Sequence, residues 1–212
     1  MTTTTDHSDG IIKKISPQGL IDYAWFKAMV TNQSLKQKLA ALSFVVCDID
    51  ATLTDGGIYF DEHGERGRTF FVPDGYGIVQ AQKTGLVFSF ISGKDHPSLQ
   101  ERGIQLGIAN DFLIGGQQNK TESIVMLQKK LGISQHNTLI IGDDFLDLMV
   151  KECGAAALFA CPADAVFYIQ AASDIVLPRD GGRGALRVLI DLILFCQGKH
   201  FAQKALEKII FT

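Results

Sequence analysis

The chain alternates apolar runs of four to six residues with longer segments whose apolar positions recur every three or four residues. The first are the mark of buried strands and the second of amphipathic helices. Leu20, Ile21, Ala24, Trp25, Ala28 and Met29 fall at helical spacing after Ser16-Pro17, a capping residue followed by proline at the first helical position. Gln33 to Leu42 predicts a second helix, and Phe44-Val45-Val46-Cys47 a buried strand. Two aromatic-rich strands around a polar, glycine-containing turn follow within Gly56 to Val72, a β-hairpin. Asp74-Gly75-Tyr76-Gly77 then opens a helix that closes near Gly85.

From that point strand and helix take turns. Strands are predicted at Leu86 to Ile91, Phe112 to Ile114, Thr138 to Ile141, Ala155 to Ala160 and Ile175 to Leu177. Helices are predicted at Ser98 to Leu106, Lys120 to Leu131, Leu146 to Glu152, Ala163 to Ala171 and Gly184 to Gln197, before a tail to Thr212. This order predicts an α/β fold: a doubly wound, mostly parallel sheet with right-handed crossovers, a hairpin inserted after the first strand, and no separate cap domain. The expected division is a tail and helical extension over 1–43, the α/β domain over 44–200 and a C-terminal tail over 201–212. The residues before about Ile11 read as a frayed terminus.

Composition narrows the function classes. The 212 residues are 46% hydrophobic and 20% charged, enough for one substantial core. A net charge of −3 with mixed signs offers neither a basic stripe for nucleic acid nor a polybasic segment for an anionic membrane. No apolar stretch has the length of a membrane span and the N-terminus lacks the regions of a signal peptide, so a cytoplasmic protein is expected. Cys47, Cys153, Cys161 and Cys196 are scattered without a Cys-x-x-Cys pair, which predicts reduced thiols, three of them in apolar contexts.

The polar residues at the strand ends carry the chemistry. The first strand runs into Asp48-Ile49-Asp50-Ala51-Thr52, and alternation along a strand predicts that Asp48 and Asp50 share one side and converge on one volume. Such paired carboxylates suit Mg²⁺, with one acid to attack phosphorus and the other to exchange a proton. An Asp-x-Asp before Gly and Thr is also what a tight turn looks like, so the rest of the chain decides. Ser92 before Gly93 ends another strand and offers a hydroxyl and backbone N–H groups to a phosphoryl oxygen. Lys120 opens a helix after a glycine-containing loop and can offset charge on a phosphate and on Asp48. Gly142-Asp143-Asp144-x-x-Asp147 brings further acids from the strand over Thr138 to Ile141.

In that order, these four motifs resemble the haloacid dehalogenase phosphatase superfamily over roughly Phe44 to Gln197. Leu53-Thr54-Asp55-Gly56, the hairpin, Asp74-Gly75-Tyr76-Gly77, Gly181-Gly182-x-Gly184-Ala185-x-Arg187 and Gln197-Gly198-Lys199 are similar to the 3-deoxy-manno-octulosonate 8-phosphate phosphatases. The resemblance implies a capless, Mg²⁺-dependent homotetramer acting on a phosphorylated acidic sugar, with the hairpins forming a small barrel. It implies Asp48 as nucleophile, Asp50 as acid and then base, and Ser92 and Lys120 as phosphate holders. It assigns the metal to Asp48, the Asp50 carbonyl and Asp143, with Asp144 and Asp147 nearby. Asp74, Gly75, Gly93, Lys94 and Arg187 join Ser92 and Lys120 as the expected substrate contacts.

Three positions depart from the pattern. Ala51 stands where the family has glycine, Ser92-Gly93-Lys94 where members acting on the eight-carbon sugar carry Thr-Gly-Arg, and Val188 where a Glu often follows the Arg. The eight-carbon sugar phosphate ranks first as substrate and a nine-carbon sugar-acid phosphate second. A silent oligomerisation module of the kind attached to sugar-acid cytidylyltransferases, or a phospho-accepting receiver domain, are the competing classes. The retained acids speak against the first. The Asp-x-Asp spacing and the late Gly-Asp-Asp speak against the second.

Overall fold

The computed structural model describes residues 14–211; the expected fray before Ile11 and the last residue, Thr212, lie outside them. Six strands form one parallel sheet: β1 (Phe44–Cys47), β4 (Val87–Ile91), β5 (Leu113–Ile114), β6 (Thr138–Ile141), β7 (Leu158–Cys161) and β8 (Ile175–Val176). Their order is β5-β4-β1-β6-β7-β8, and each neighbouring pair is parallel. The strand order reverses direction at β1, between β4 and β6, the crevice where such sheets place their ligands. The hairpin is β2 (Tyr59–Asp61) with β3 (Gly64–Gly67), antiparallel and separate from the main sheet.

Alternation along the strands divides the core in two. Phe44, Val46, Ile91, Ile140, Phe159 and Cys161 face α5 (Lys120–Leu131), α6 (Phe145–Glu152) and α7 (Phe167–Ala172). Val45, Cys47, Phe88, Phe90, Leu139 and Ile141 face the other layer. That layer holds α3 (Val72–Gln82), α4 (Pro97–Gln105) and α8 (Ala185–Cys196), with α1 (Pro17–Thr31) and α2 (Gln33–Ala40) packed on α8. Strands buried on both faces are apolar almost throughout, Ser89 and Thr138 being buried exceptions, which is why they read as runs in the sequence.

The N-terminal extension covers the domain itself. Ser16 Oγ accepts from Gly19 N at 3.2 Å, the cap expected from Ser16-Pro17. Trp25 Nε1 donates to the Val176 carbonyl at 2.7 Å, occupying the outer edge of β8. Phe26 meets Phe195 edge-on at 5.5 Å.

The expected C-terminal tail is instead largely helical: α9 (Gln203–Phe211) buries Ile210 and packs Leu206 against the same core. Its apolar residues Leu206, Ile209 and Ile210 share one helical face, a period short enough to pass unnoticed at a chain end. Smaller differences lie at element starts. β7 begins at Leu158 rather than Ala155, and α7 at Phe167 rather than Ala163, because Pro162 to Val166 form a turn tied to the Arg179 carbonyl. Cys47 and Cys161 are buried, Cys196 half-buried and Cys153 exposed, all as free thiols.

Candidate active site

Asp48 follows directly on β1, and its backbone N–H still donates to the Ile141 carbonyl at 3.0 Å, so the side chain is set by the sheet. Lys120 comes from the first turn of α5. Its Nζ donates to Asp48 Oδ1 at 2.5 Å and to Asp147 Oδ1 at 2.6 Å, with all three side chains buried. Asp147 sits in the first turn of α6, where the helix dipole favours an acid. Gly142 leaves the space it needs: a Cβ at that position would lie 2.1 Å from the Asp147 Cγ. Asp143 is held by Thr52, whose Oγ1 donates to its Oδ1 at 3.2 Å. Asp144 caps α6 by accepting from the Phe145 N–H at 2.7 Å, and its charge adds to the upward push on Asp143 and Asp147.

Carboxylate oxygens of Asp48, Asp143 and Asp147 lie within 4.8 Å of one another. Burial, then the charge of Asp147, lifts Asp48 well above the ordinary carboxylate range in spite of Lys120. Burial raises Asp147 as well, and burial together with Asp147 pushes Asp143 up to about 6. Burial pulls Lys120 down, but Asp48 and Asp147 more than offset it, so the ammonium holds its proton more tightly than a free lysine. Buried Asp48 and Asp147 therefore share one base, with half-buried Asp143 beside them and no cation of its own among the described residues. A hard divalent cation among oxygen donors removes that surplus of negative charge, so the donor set fits Mg²⁺.

Asp50 takes a different direction from the one strand alternation predicts. Its Oδ1 accepts from Arg68 Nε at 2.5 Å and its Oδ2 from Ser92 Oγ at 3.2 Å, so its carboxylate stands outside the metal cluster. The alternation fails because the strand has already ended: Ala51 has φ 59°, the one left-handed non-glycine residue among those described, and the chain is turning. Any ligand atom from Asp50 to a metal is then its backbone carbonyl. Asp147, expected only nearby, belongs to the cluster itself.

Ser92 ends β4, and the Lys94 N–H donates to its Oγ at 3.1 Å. The Gly93 carbonyl accepts from Gln118 Nε2 at 3.1 Å. Ser92 therefore borders Asp50, and the Lys94 N–H reaches that side only through the Ser92 hydroxyl. Asp74, Gly75 and Arg187 are placed elsewhere in the single chain. Asp74 Oδ1 accepts from the Arg187 N–H at 2.7 Å, and burial pushes this acid up to about 6. Gly75 is buried against the Arg102 guanidinium, and the Arg187 side chain pairs with Asp191 at 2.9 Å. Asp74 thus fastens the start of α8. The Gly181-Gly182 loop before α8 in turn presses on the catalytic loop, with Gly182 N donating to the Thr52 carbonyl at 3.0 Å. A Cβ on Gly181 would stand 1.9 Å from the Ala51 oxygen.

Arg68 is the residue that sequence reasoning leaves unassigned. It follows the hairpin's second strand, its side chain is only 2% exposed, and it pairs with Asp50. A lone arginine among aromatic residues after a turn is the available signal, and solvated arginines share it.

With this geometry in view, the comparisons decide the family. A curated relative, the 3-deoxy-D-manno-octulosonate 8-phosphate phosphatase KdsC of Haemophilus influenzae, is 40% identical over 166 residues, covering 78% of this chain and 89% of its own. The chain belongs to the family of 3-deoxy-D-manno-octulosonate 8-phosphate phosphatases, within the haloacid dehalogenase superfamily. The cobalt-bound Haemophilus influenzae phosphatase superposes with TM-score 0.72 at 37% identity, covering 78% of this chain and 95% of that one. The Moraxella catarrhalis phosphatase, solved with magnesium, phosphate and the sugar acid KDO, gives TM-score 0.74 at 30% identity over 82% and 96%. No protein-family model matches the chain.

Proposed function

We propose that this chain is a Mg²⁺-dependent phosphatase that hydrolyses 3-deoxy-D-manno-octulosonate 8-phosphate to KDO and phosphate through an aspartyl-phosphate on Asp48. The observation that carries this reading is the meeting of buried Asp48, Lys120 and Asp147 with half-buried Asp143 at the switch point of a sheet, in a chain of this family. Asp48, Asp143 and Asp147, with the Asp50 carbonyl, would hold the cation, which when bound offsets charge on the phosphoryl oxygens.

Each remaining role falls to a side chain already placed. Asp48 attacks phosphorus, and the P–O bond to the sugar breaks. The leaving alkoxide takes a proton from Asp50. Asp50 then removes a proton from water as that water attacks the phosphoryl group, which frees Asp48 and releases phosphate. Lys120 holds the nucleophile in place and offsets transferred charge, and Ser92 Oγ with the Lys94 N–H holds a phosphoryl oxygen.

Exposed Tyr59 and Phe60 on the hairpin, 71% and 68% exposed, support a homotetramer in which hairpins cover one another; light scattering on the purified chain tests it. Release of phosphate with Mg²⁺ from the eight-carbon substrate, and its loss in Asp48→Asn, are the expected results. No release from eight- or nine-carbon acidic sugar phosphates would end the proposal. Faster release from a nine-carbon sugar-acid phosphate would move the substrate assignment there.

A further inference from the structure

The guanidinium of Arg68 is buried beside the proposed acid-base residue, and two of its three nitrogens make no hydrogen bond. Nε meets Asp50 Oδ1 at 2.5 Å. Nη1 lies 2.8 Å from Glu65 Oε1, but without the alignment of a hydrogen bond, and Nη2 has no acceptor among the described residues. Glu65 is thus an ion-pair partner of Nη1, but its Oε1 makes no hydrogen bond and lies 3.5 Å from His96 Nε2. A buried guanidinium with two nitrogens that make no hydrogen bond is costly to keep, and its planar fork matches an oxyanion with two parallel bonds. Asp50, which occupies the third nitrogen, is itself partly open to solvent at 32%. Whatever approaches Asp50 also approaches Arg68.

We infer that Arg68 binds an oxyanion of the substrate and is a specificity-determining residue of this site. When Asp50 turns toward the leaving oxygen, it frees Nε as well, and a substrate oxygen takes hydrogen bonds from the guanidinium. The hairpin then does more than cover the site, because it delivers a charge that rejects neutral compounds. The oxyanion has two possible sources, the phosphoryl group and the carboxylate of the sugar acid. This inference rests on the phosphatase reading above.

The test is titration calorimetry on the full chain with Mg²⁺, comparing wild type, Arg68→Gln and Arg68→Lys for inorganic phosphate and, separately, for KDO. It is joined by kcat and KM on the acidic sugar phosphate and on p-nitrophenyl phosphate. Loss of a charge-assisted, two-pronged contact weakens the bound anion about 10- to 100-fold in Arg68→Gln. Arg68→Lys keeps a charge beside Asp50 and is expected to fold like wild type while recovering only part of the binding. Weaker phosphate with unchanged KDO assigns the phosphoryl group, and both phosphatase substrates then suffer alike. Weaker KDO with unchanged phosphate assigns the carboxylate, and KM rises for the acidic substrate alone. Unchanged binding of both anions in a folded Arg68→Gln overturns the inference and leaves the phosphatase reading standing. Loss of anion binding in a protein whose wild type releases no phosphate does the reverse.

Discussion

Ala51 offers a direct measure of what the catalytic loop stores. It lies one residue past the proposed acid-base carboxylate with φ 59°, where an L side chain crowds the following carbonyl. That costs roughly 1–2 kcal/mol. The loop is held there from several sides. The Ala51 N–H donates to Thr54 Oγ1 at 3.3 Å, Thr54 Oγ1 donates to the Ile49 carbonyl at 3.2 Å, and Gly181 packs against the Ala51 oxygen. Replacing Ala51 by glycine removes the crowding but returns roughly 0.4–1 kcal/mol of freedom to the unfolded chain. The net expectation is a gain of about 0.5–1 kcal/mol, a rise in melting temperature of roughly 1–4 °C for a chain of this size. Ala51→Val, with a branched side chain in the same conformation, should lose about 1–3 kcal/mol. Thermal and urea unfolding of the three proteins reads these values. A glycine variant less stable than wild type by more than about 0.5 kcal/mol would show that the loop carries no such strain.

Other consequences follow from the same packing. Gly181→Ala drives a Cβ to within 1.9 Å of the Ala51 oxygen and should cost about 1–3 kcal/mol, read as a lowered urea midpoint. Asp74, raised from 3.8 to about 6 chiefly by burial, holds a proton in the folded chain that the unfolded chain gives up. Its contribution is therefore fully present below about pH 4 and is lost as pH rises through 6, an effect on the order of 3 kcal/mol at most. Asp74→Asn keeps an acceptor for the Arg187 N–H and should flatten the stability profile between pH 4 and 6.5; an unchanged slope would exclude Asp74 as its source. Mg²⁺ should raise the melting temperature at pH 7.5, where Asp143 is ionised, and do so progressively less below pH 6, with apparent affinity falling about tenfold per pH unit. A shift equal at pH 5 and pH 7.5 would remove Asp143 from the metal site.

The sequence by itself determined the layers and the chemistry's inventory. Strands buried on both faces are nearly continuous in apolar residues, so β1, β4 and β6 announced themselves, and the polar residue that follows each run marks the ligand side of the sheet. Asp48, Asp50, Ser92 and Asp143 were legible for that reason and Lys120 as the residue that opens a helix, and their shared order made the family recognisable. The tertiary structure decided where those groups point. Asp50 left the metal cluster because the chain had begun to turn at Ala51, and Asp147 joined it because one helical turn from Asp144 swings its carboxylate back over Gly142. The partners of Arg68 and Asp74 carry no local signal: a hairpin arginine becomes a buried partner of Asp50, and Asp74 holds the first turn of α8, only once distant segments meet. Period and polarity are properties of a few consecutive residues, whereas a hydrogen bond across 18 or 113 positions exists only after the core has brought its two ends together.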